Sequence, residues 1–406
     1  MQKVLVERLQ PGMILGREVH NERGDTLLVR GVALTSQYIE RMRQYGYYAV
    51  FVRDGIADDV EPPDILSQKV RSLTFRHLQD VFAIAESAAA IQDENDRKEA
   101  LASLPTASQP LFASLYRDVE KIVDEVTKAK TVSGLVSLKT HDNYTFEHSL
   151  DVAVVGVMLG QRLSLSSRDL HQLALGCLCH DIGKLVVPES ILNKPARLSA
   201  DEFAVVQRHP QAGYEIVQSL MDSSDIIARH VVRQHHERQD GKGYHLGMKG
   251  NNRLNIRKQS YGRGFILPAA EIAAVADVYS ALASDRPYRQ AMTSEEVAAI
   301  LQGMAGAHLN REIVTRFLSI LPAYPVGTEV VVISSKLQGY RGIVTNVDPG
   351  DPHRPAVLIL FSPQGRTVAP FEVDTRKDRD IEIAASSYAH LVDLELSTAG
   401  MTAGAR

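Results

Sequence analysis

Gly176-Cys-Leu-Cys-His-Asp-Ile-Gly-Lys184 is the stretch on which the reading of this chain turns. It closes an apolar run with a histidine and an aspartate side by side, and Lys184 follows about one helical turn later. The run reads as a buried helix, and an unpaired charge in a low-dielectric interior is costly, so His180 and Asp181 require partners. Candidates lie on both sides: His148 upstream, then His209, the doublet His235-His236 and Asp277 downstream, each in or beside a helix-like segment. Neutral imidazoles and carboxylates bind Fe, Mn, Zn or Ni, and a site fed by several helices of a bundle holds two metals when one carboxylate bridges them. Neighbouring helix residues project roughly 100° apart, so His180 and Asp181 can grip different sides of one centre.

Taken singly, each candidate has a plainer reading. His148 could be a satisfied helix histidine, His209 before Pro210 could contact a helix end, and His235-His236 could be a solvated helix end. Asp277, within Ile272-Ala-Ala-Val-Ala-Asp-Val-Tyr279, would be a buried charge on its own and asks most strongly for a partner. Cys177 and Cys179 are the chain's 2 cysteines. Two positions apart on a helix they face different ways, so they read as small core residues and not as a disulfide framework, which suits a reducing compartment.

A chain of 406 residues with 44% hydrophobic content is long for one core, so several domains are expected. The formal net charge of -4 gives no global case for binding DNA or an anionic membrane, and any basic site must be local. No uninterrupted apolar stretch is long enough to span a bilayer, and Met1-Gln-Lys3 leads into strand-like residues instead of a signal-peptide core, so the chain reads as soluble and cytoplasmic. The predicted fold is multidomain and mainly α: a helical bundle flanked by a small N-terminal α+β module and a small C-terminal β-barrel-like module.

The boundaries follow composition. Residues 1–60 form the N-terminal module, with strand-like runs at 4–6, 26–29 and 49–52, a helix between 35 and 45, and a polar, acidic linker over 54–63. Residues 61–139 read as a helical linker: Pro63-Asp64 opens a long amphipathic helix, 92–109 reads as a loop, and a second helix carries Leu111, Leu115, Val119, Ile122 and Val126. These helices either pack within the chain or build a homodimer contact. Over 140–322 the pattern is almost wholly helical, with capping boxes at Ser199 to Glu202 and Thr293 to Glu296, and with Asn143 and Ser166 as candidate caps of the helices leading to His148 and His180. Residues 323–385 return to short β runs at 329–333, 341–345, 356–361 and 367–369, and 386–406 is a tail expected to fray.

In order, Tyr144-Thr-Phe-Glu-His148-Ser, His180-Asp-Ile-Gly-Lys184, His209-Pro-Gln-Ala-Gly213, His235-His-Glu-Arg-Gln-Asp-Gly-Lys-Gly-Tyr244 and Asp277-Val-Tyr-Ser-Ala-Leu-Ala-Ser-Asp-Arg-Pro-Tyr-Arg289 resemble the HD-GYP branch of the HD-domain phosphohydrolases. The resemblance implies metal-dependent hydrolysis of the bacterial second messenger cyclic di-GMP to linear pGpG, and in some members onward to GMP. Carried over by motif, His148, His180, Asp181, His209, His235, His236 and Asp277 hold two divalent ions, with Fe or Mn first and Zn or Ni as alternatives, and Asp181 bridges them. Such a pair clamps a phosphodiester, lowers the pKa of a bridging water towards ~7 and stabilises the leaving oxygen. Asp181 and Lys184 would then be catalytic, and Lys184, Arg286, Arg289, Tyr288, Gly243 and Tyr244 would contact the substrate. Plainer roles are helix-end compensation for Lys184 and a solvated loop for the arginines.

The chain departs from the family pattern in places. Members with three metals carry a glutamate where Tyr144 stands here, and a phenol is the poorer ligand, so two metals are expected. His245 replaces the proline after Gly243-Tyr244, which alters a loop assigned to recognition of other signalling proteins. Ser280 stands where an acidic residue is common. The connection over 247–268 is long and carries Lys249, Arg253, Arg257, Lys258 and Arg263, either capturing an anionic dinucleotide or simply solvated. Two other readings stay open: a catalytically weak cyclic di-GMP receptor, and an HD phosphohydrolase of another cyclic dinucleotide.

Overall fold

The computed structural model describes residues 1–21, 25–47, 49–53, 55, 58, 60, 64–89, 91, 94–129, 144–194, 196–254, 264–284 and 291–385. Its largest core is helical. It is built from α2 (Gln68–Ala89), α4 (Pro105–Lys128), α5 (Tyr144–Arg162), α6 (Ser167–Cys179), α9 (His209–Leu220), α10 (Ile226–Gln234), α11 (Pro268–Ala283), α12 (Ser294–Met304) and α13 (Arg311–Leu318). Helices α5 and α11 are largely buried all round: Val152 to Val155 have no exposure, nor do Ile272, Val275 and Ala276, and the polar side chains of Glu147, His148, Glu271 and Asp277 find partners within the bundle. A helix buried on every side belongs in the interior of a bundle, and these two pack on each other there.

Helix α6 lies against α5 and α10. Ser166 caps it by accepting a hydrogen bond from the Asp169 amide at 3.2 Å. Cys177 and Cys179 are free thiols with no exposure, small enough for close helix contact. After His180 and Asp181 the chain tightens into a 3-10 turn, Ile182–Val186, which packs against α9. Gly183 permits that contact, because a Cβ there would lie 1.9 Å from the His209 carbonyl oxygen and 2.4 Å from the Gly213 nitrogen. The turn after His180 and Asp181 is thereby locked to the start of α9. Both expected capping boxes are present: Ser199 and Glu202 open α8 (Ala200–Val206), and Thr293 and Glu296 open α12. A four-residue helix, α7 (Glu189–Leu192), precedes α8.

The N-terminal part is α+β. Strands β1 (Gln2–Leu5), β5 (Ala49–Arg53) and β2 (Ile14–Leu15) form an antiparallel sheet, and β3 (Val19–His20) pairs with β4 (Thr26–Leu28). Helix α1 (Ser36–Gln44), capped by Thr35, buries Ile39 and Met42 over this sheet in a separate small core. At the other end, β6 (Glu329–Val332), β7 (Arg341–Asn346), β8 (Ala356–Phe361), β9 (Thr367–Asp374) and β10 (Ile383–Ala385) form one antiparallel sheet in the order β10-β6-β7-β8-β9. Among the described residues its edge strands do not pair with each other, so the pairing is that of an open sheet, not a closed barrel.

Several expectations need correction. The stretch 92–109 holds a helix, α3 (Glu94–Ser103), and the first turn of α4. Its Ala, Glu, Lys and Arg content favours helix, and Pro105 sits where the missing amide costs nothing. Helix α2 starts at Gln68 and not at Pro63-Asp64; Ser67 precedes it, and the Ser67 hydroxyl accepts from the Val70 amide at 3.4 Å. Among the described residues the bundle is interrupted over 235–254 and 264–267, which hold no helix, and the Lys249 amide donates to the Gly264 carbonyl at 3.3 Å. Strand β9 runs past Ala369 to Asp374, and β10 was not expected from the sequence. Asn143, most of 54–63, Arg257, Lys258, Arg263 and the tail from 386 lie outside the described residues. Among those described, no helix is long and apolar enough to cross a membrane.

Candidate metal centre

Seven side chains from five helices meet in the bundle. His148 comes from α5, His180 and Asp181 from the end of α6, His209 from the start of α9, His235 and His236 from the end of α10, and Asp277 from α11. Their donor atoms fall into two groups, Asp181 with His209, His235 and His236, and His148 with His180 and Asp277, each with its atoms within 4.8 Å of one another. Asp181 touches both: Oδ1 is 3.4 Å from His209 Nε2, and Oδ2 is 3.3 Å from His180 Nε2.

The imidazoles are held in one orientation by the backbone. The Nδ1 atoms of His180, His209 and His235 lie 2.8, 2.8 and 2.9 Å from the carbonyl oxygens of Cys177, Val206 and Val232, each three residues earlier. A carbonyl only accepts, so Nδ1 carries the proton and Nε2 keeps its lone pair. His209 Nε2 and His235 Nε2 then face each other at 3.3 Å. Two lone pairs at that distance repel unless an electrophile lies between them. His180 Nε2 and Asp181 Oδ1 are buried and make no hydrogen bond among the described residues. The donor chemistry therefore fits divalent cations, with second contacts fixing the tautomer as in metal-bound histidines. His148 differs: Nδ1 is 3.0 Å from Ser280 Oγ, and Nε2 is 3.0 Å from Asp277 Oδ1.

Charge follows from burial and proximity. Burial lowers His209 to about 4 and His236 to about 3, and burial with the neighbouring imidazoles holds His235 well below its ordinary value. For Asp181, burial opposes ionisation, but His180 and Lys184 outweigh it and keep the carboxyl well below the usual range. Burial likewise opposes ionisation of Asp277, and its hydrogen bond to His148 with the charge of that ring overcomes it. His180 differs, since burial lowers it but the adjacent Asp181 carboxylate outweighs burial and raises it; neutral His209, His235 and His236 beside ionised carboxylates are the protonation states that cations require.

Lys184 donates to Asp181 Oδ2 at 2.6 Å and is about a third exposed. Gly243-Tyr244 folds back on the cluster, with the Tyr244 amide donating to the His236 carbonyl at 3.2 Å. A Cβ on Gly243 would lie 2.5 Å from the Arg238 nitrogen, so that return needs glycine. The Tyr244 ring lies 4.7 Å from His236 and 6.2 Å from His209 between centroids. Burial, with Asp181 and Asp277 nearby, raises the Tyr244 phenol above its ordinary value and keeps it protonated. Arg286, Tyr288, Arg289 and the side chain of Tyr144 lie outside the described residues, so the third-metal and phosphate-contact expectations find no geometry here.

Ser280, which the sequence marks only as standing where an acidic residue is common and gives no ligand role, is buried and bonded to His148. Its spacing one turn after Asp277 was the available signal. Glu237 was passed over: it is buried and accepts from the Leu246 and Met248 amides at 2.6 and 2.7 Å, closing the loop that carries Tyr244.

Residues 135–313 match the family described as HD domain, and the motifs in this part of the chain resemble those of its HD-GYP branch. Cyclic di-GMP phosphodiesterase PA4108 of Pseudomonas aeruginosa is 32% identical over 257 residues, covering 62% of this chain and 58% of the relative. The cyclic di-GMP phosphodiesterase response regulator RpfG of Xanthomonas campestris is 31% identical over 216 residues, covering 53% and 51%. The 3'3'-cGAMP-specific phosphodiesterase 1 of Vibrio cholerae is 35% identical over 181 residues, covering 44% and 38%. The chain thus spans little more than half the length of the first two relatives.

Proposed function

We propose that this chain is a metal-dependent phosphodiesterase that hydrolyses cyclic di-GMP to linear pGpG, with cleavage onward to GMP as a second product to look for. The observation that carries the reading is Asp181, buried between two groups of donors and in contact with a histidine of each. His209, His235, His236 and Asp181 would hold one cation, and His148, His180 and Asp277 a second, with Fe or Mn preferred. Divalent cations there would withdraw charge from a phosphodiester and make a water nucleophilic at neutral pH.

The chain's own residues do the rest. The backbone carbonyls of Cys177, Val206 and Val232 hold three imidazoles in register, so no reorganisation is needed when an anion arrives. Lys184, about a third exposed, places a positive charge beside buried Asp181, where it can neutralise a phosphate oxygen. Tyr244 offers a protonated hydroxyl and an aromatic face beside His236. Arg286, Tyr288 and Arg289 are assigned to the substrate by their motif. Residues 140–322 would carry the reaction, with the flanking modules, the 61–139 helices and the His245 loop left for signal input, a homodimer contact or partner proteins.

The relatives include enzymes named for 3'3'-cGAMP, so the nucleotide is settled by a panel. Cyclic di-GMP, 3'3'-cGAMP and cyclic di-AMP are incubated with the metal-loaded chain, and the products are separated. The proposal expects cyclic di-GMP to give pGpG at the highest kcat/KM. Preference for a hybrid or adenine dinucleotide would move the assignment to another cyclic dinucleotide, and tight binding without any product would make the chain a receptor.

A further inference from the structure

Helix α8 (Ala200–Val206) buries none of its residues, so the core does not account for its position. Polar contacts cap it and tie it to the preceding loop. Ser199 Oγ accepts from the Glu202 amide at 3.2 Å, the Glu202 carboxylate accepts from the Ser199 amide at 2.7 Å, and Lys194 Nζ donates to both Glu202 oxygens at 2.8 and 2.7 Å. The next residue, Phe203, is 44% exposed. Its ring meets Tyr244 edge-on, with centroids 6.1 Å apart and planes at 85°. A row of rings therefore runs outward from His209 and His236 through Tyr244 to Phe203. Its inner end is the donor cluster, and its outer end is an uncovered hydrocarbon face on a fixed support.

We infer that Phe203, with Tyr244, forms an aromatic wall on which one purine base of the substrate stacks. This rests on reading the cluster as a cyclic dinucleotide phosphodiesterase site. A cyclic dinucleotide presents two chemistries at once, anionic phosphates and flat π-faces, and the row offers a partner for each in the order the ligand needs. Stacking does not read base edges, so Phe203 contributes to affinity for guanine and adenine alike. The Ser199, Glu202 and Lys194 contacts cap the helix that carries Phe203, so less backbone freedom is left to lose on binding.

The test is steady-state hydrolysis by the metal-loaded 406-residue chain, with cyclic di-GMP and 3'3'-cGAMP as probes, comparing Phe203→Ala and Phe203→Tyr with the unsubstituted protein. Phe203→Ala should raise KM about tenfold for both nucleotides, corresponding to ~1.4 kcal/mol. Its kcat should fall less than about threefold, with metal content and Tm preserved, and Phe203→Tyr should restore KM. Unchanged KM in Phe203→Ala, with normal turnover by the unsubstituted chain, would overturn this assignment alone. A raised KM accompanied by metal loss or a lowered Tm would overturn it too, by making Phe203 structural. Failure of the unsubstituted chain to turn over any cyclic dinucleotide would overturn both this inference and the functional reading beneath it.

Discussion

At the scale of residues, the site is made by which nitrogen of each histidine is held. Three rings give Nδ1 to a carbonyl of their own chain, while His148 depends on a side chain, Ser280 Oγ at 3.0 Å. Ser280→Ala should therefore leave His148 free to rotate and lower metal affinity at the His148, His180 and Asp277 group about 10- to 100-fold, the usual effect of removing such a contact. A competitive chelator titration reads this directly, and an affinity equal to that of the unsubstituted chain would show the hydroxyl to be dispensable. The seven clustered residues could be singled out in the sequence only together, by their order and the motifs around them, since each alone has a plainer reading. The role of Ser280 was not legible, since its meaning lies in a contact across 132 residues of chain. Lys184 was legible only in part: spacing placed it near Asp181, but the 2.6 Å ion pair that the two form belongs to the tertiary structure.

At the scale of elements, helix α2 reaches the site through Arg71. This guanidinium, 14% exposed, lies 2.7 Å from Glu147 Oε2 and 3.6 Å from Asp151 Oδ1, the residues that flank His148 on α5. Arg71→Ala leaves those carboxylates short of their partner and should destabilise the chain by about 3–5 kcal/mol. Urea unfolding measures this, and a loss below about 1 kcal/mol would mean that α2 is held by apolar packing alone. Helix α11 carries a second device. Glu271 accepts from Gln239 Nε2 at 2.6 Å and Asn310 Nδ2 at 2.9 Å, joining the Tyr244 loop to the start of α13. Burial raises its carboxyl to about 7, against the two amide hydrogen bonds, which lower it.

The sign of the Glu271 effect follows. A carboxyl whose pKa is higher in the fold than in the unfolded chain adds stability that is complete below its ordinary value of 4.5 and is lost as pH rises through about 7. The Tm of the unsubstituted chain should fall between pH 5 and pH 8 by more than that of Glu271→Gln, as thermal scans across that range would record; parallel curves would contradict it. At this scale the sequence misled most at α3. Its composition favours helix but lacks an apolar stripe, so periodicity could not separate it from a loop. The two-residue strands β2 and β3 are too short to show alternation at all.

For the whole molecule, the N-terminal strands, the helical middle and the C-terminal sheet were legible as changes in period, because each has a core of its own. The helices before residue 144 were harder to place. Their stripes show only that a face is buried, and the structure buries those of α2 and α4 against the bundle that carries the donors. Cations that bind this assembled cluster and not the unfolded chain must stabilise the fold by mass action, so chelation should lower Tm and re-addition of metal should restore it. The measurement that tests the central claim most directly joins both halves of the account in one sample. Anaerobically purified chain is assayed for metal per protein and for the products of cyclic di-GMP, beside Asp181→Ala. The account predicts two divalent ions per chain with pGpG formed, and both metal and product sharply reduced in the variant. A chain that binds no metal, or a variant that hydrolyses as fast as the unsubstituted protein, would contradict it.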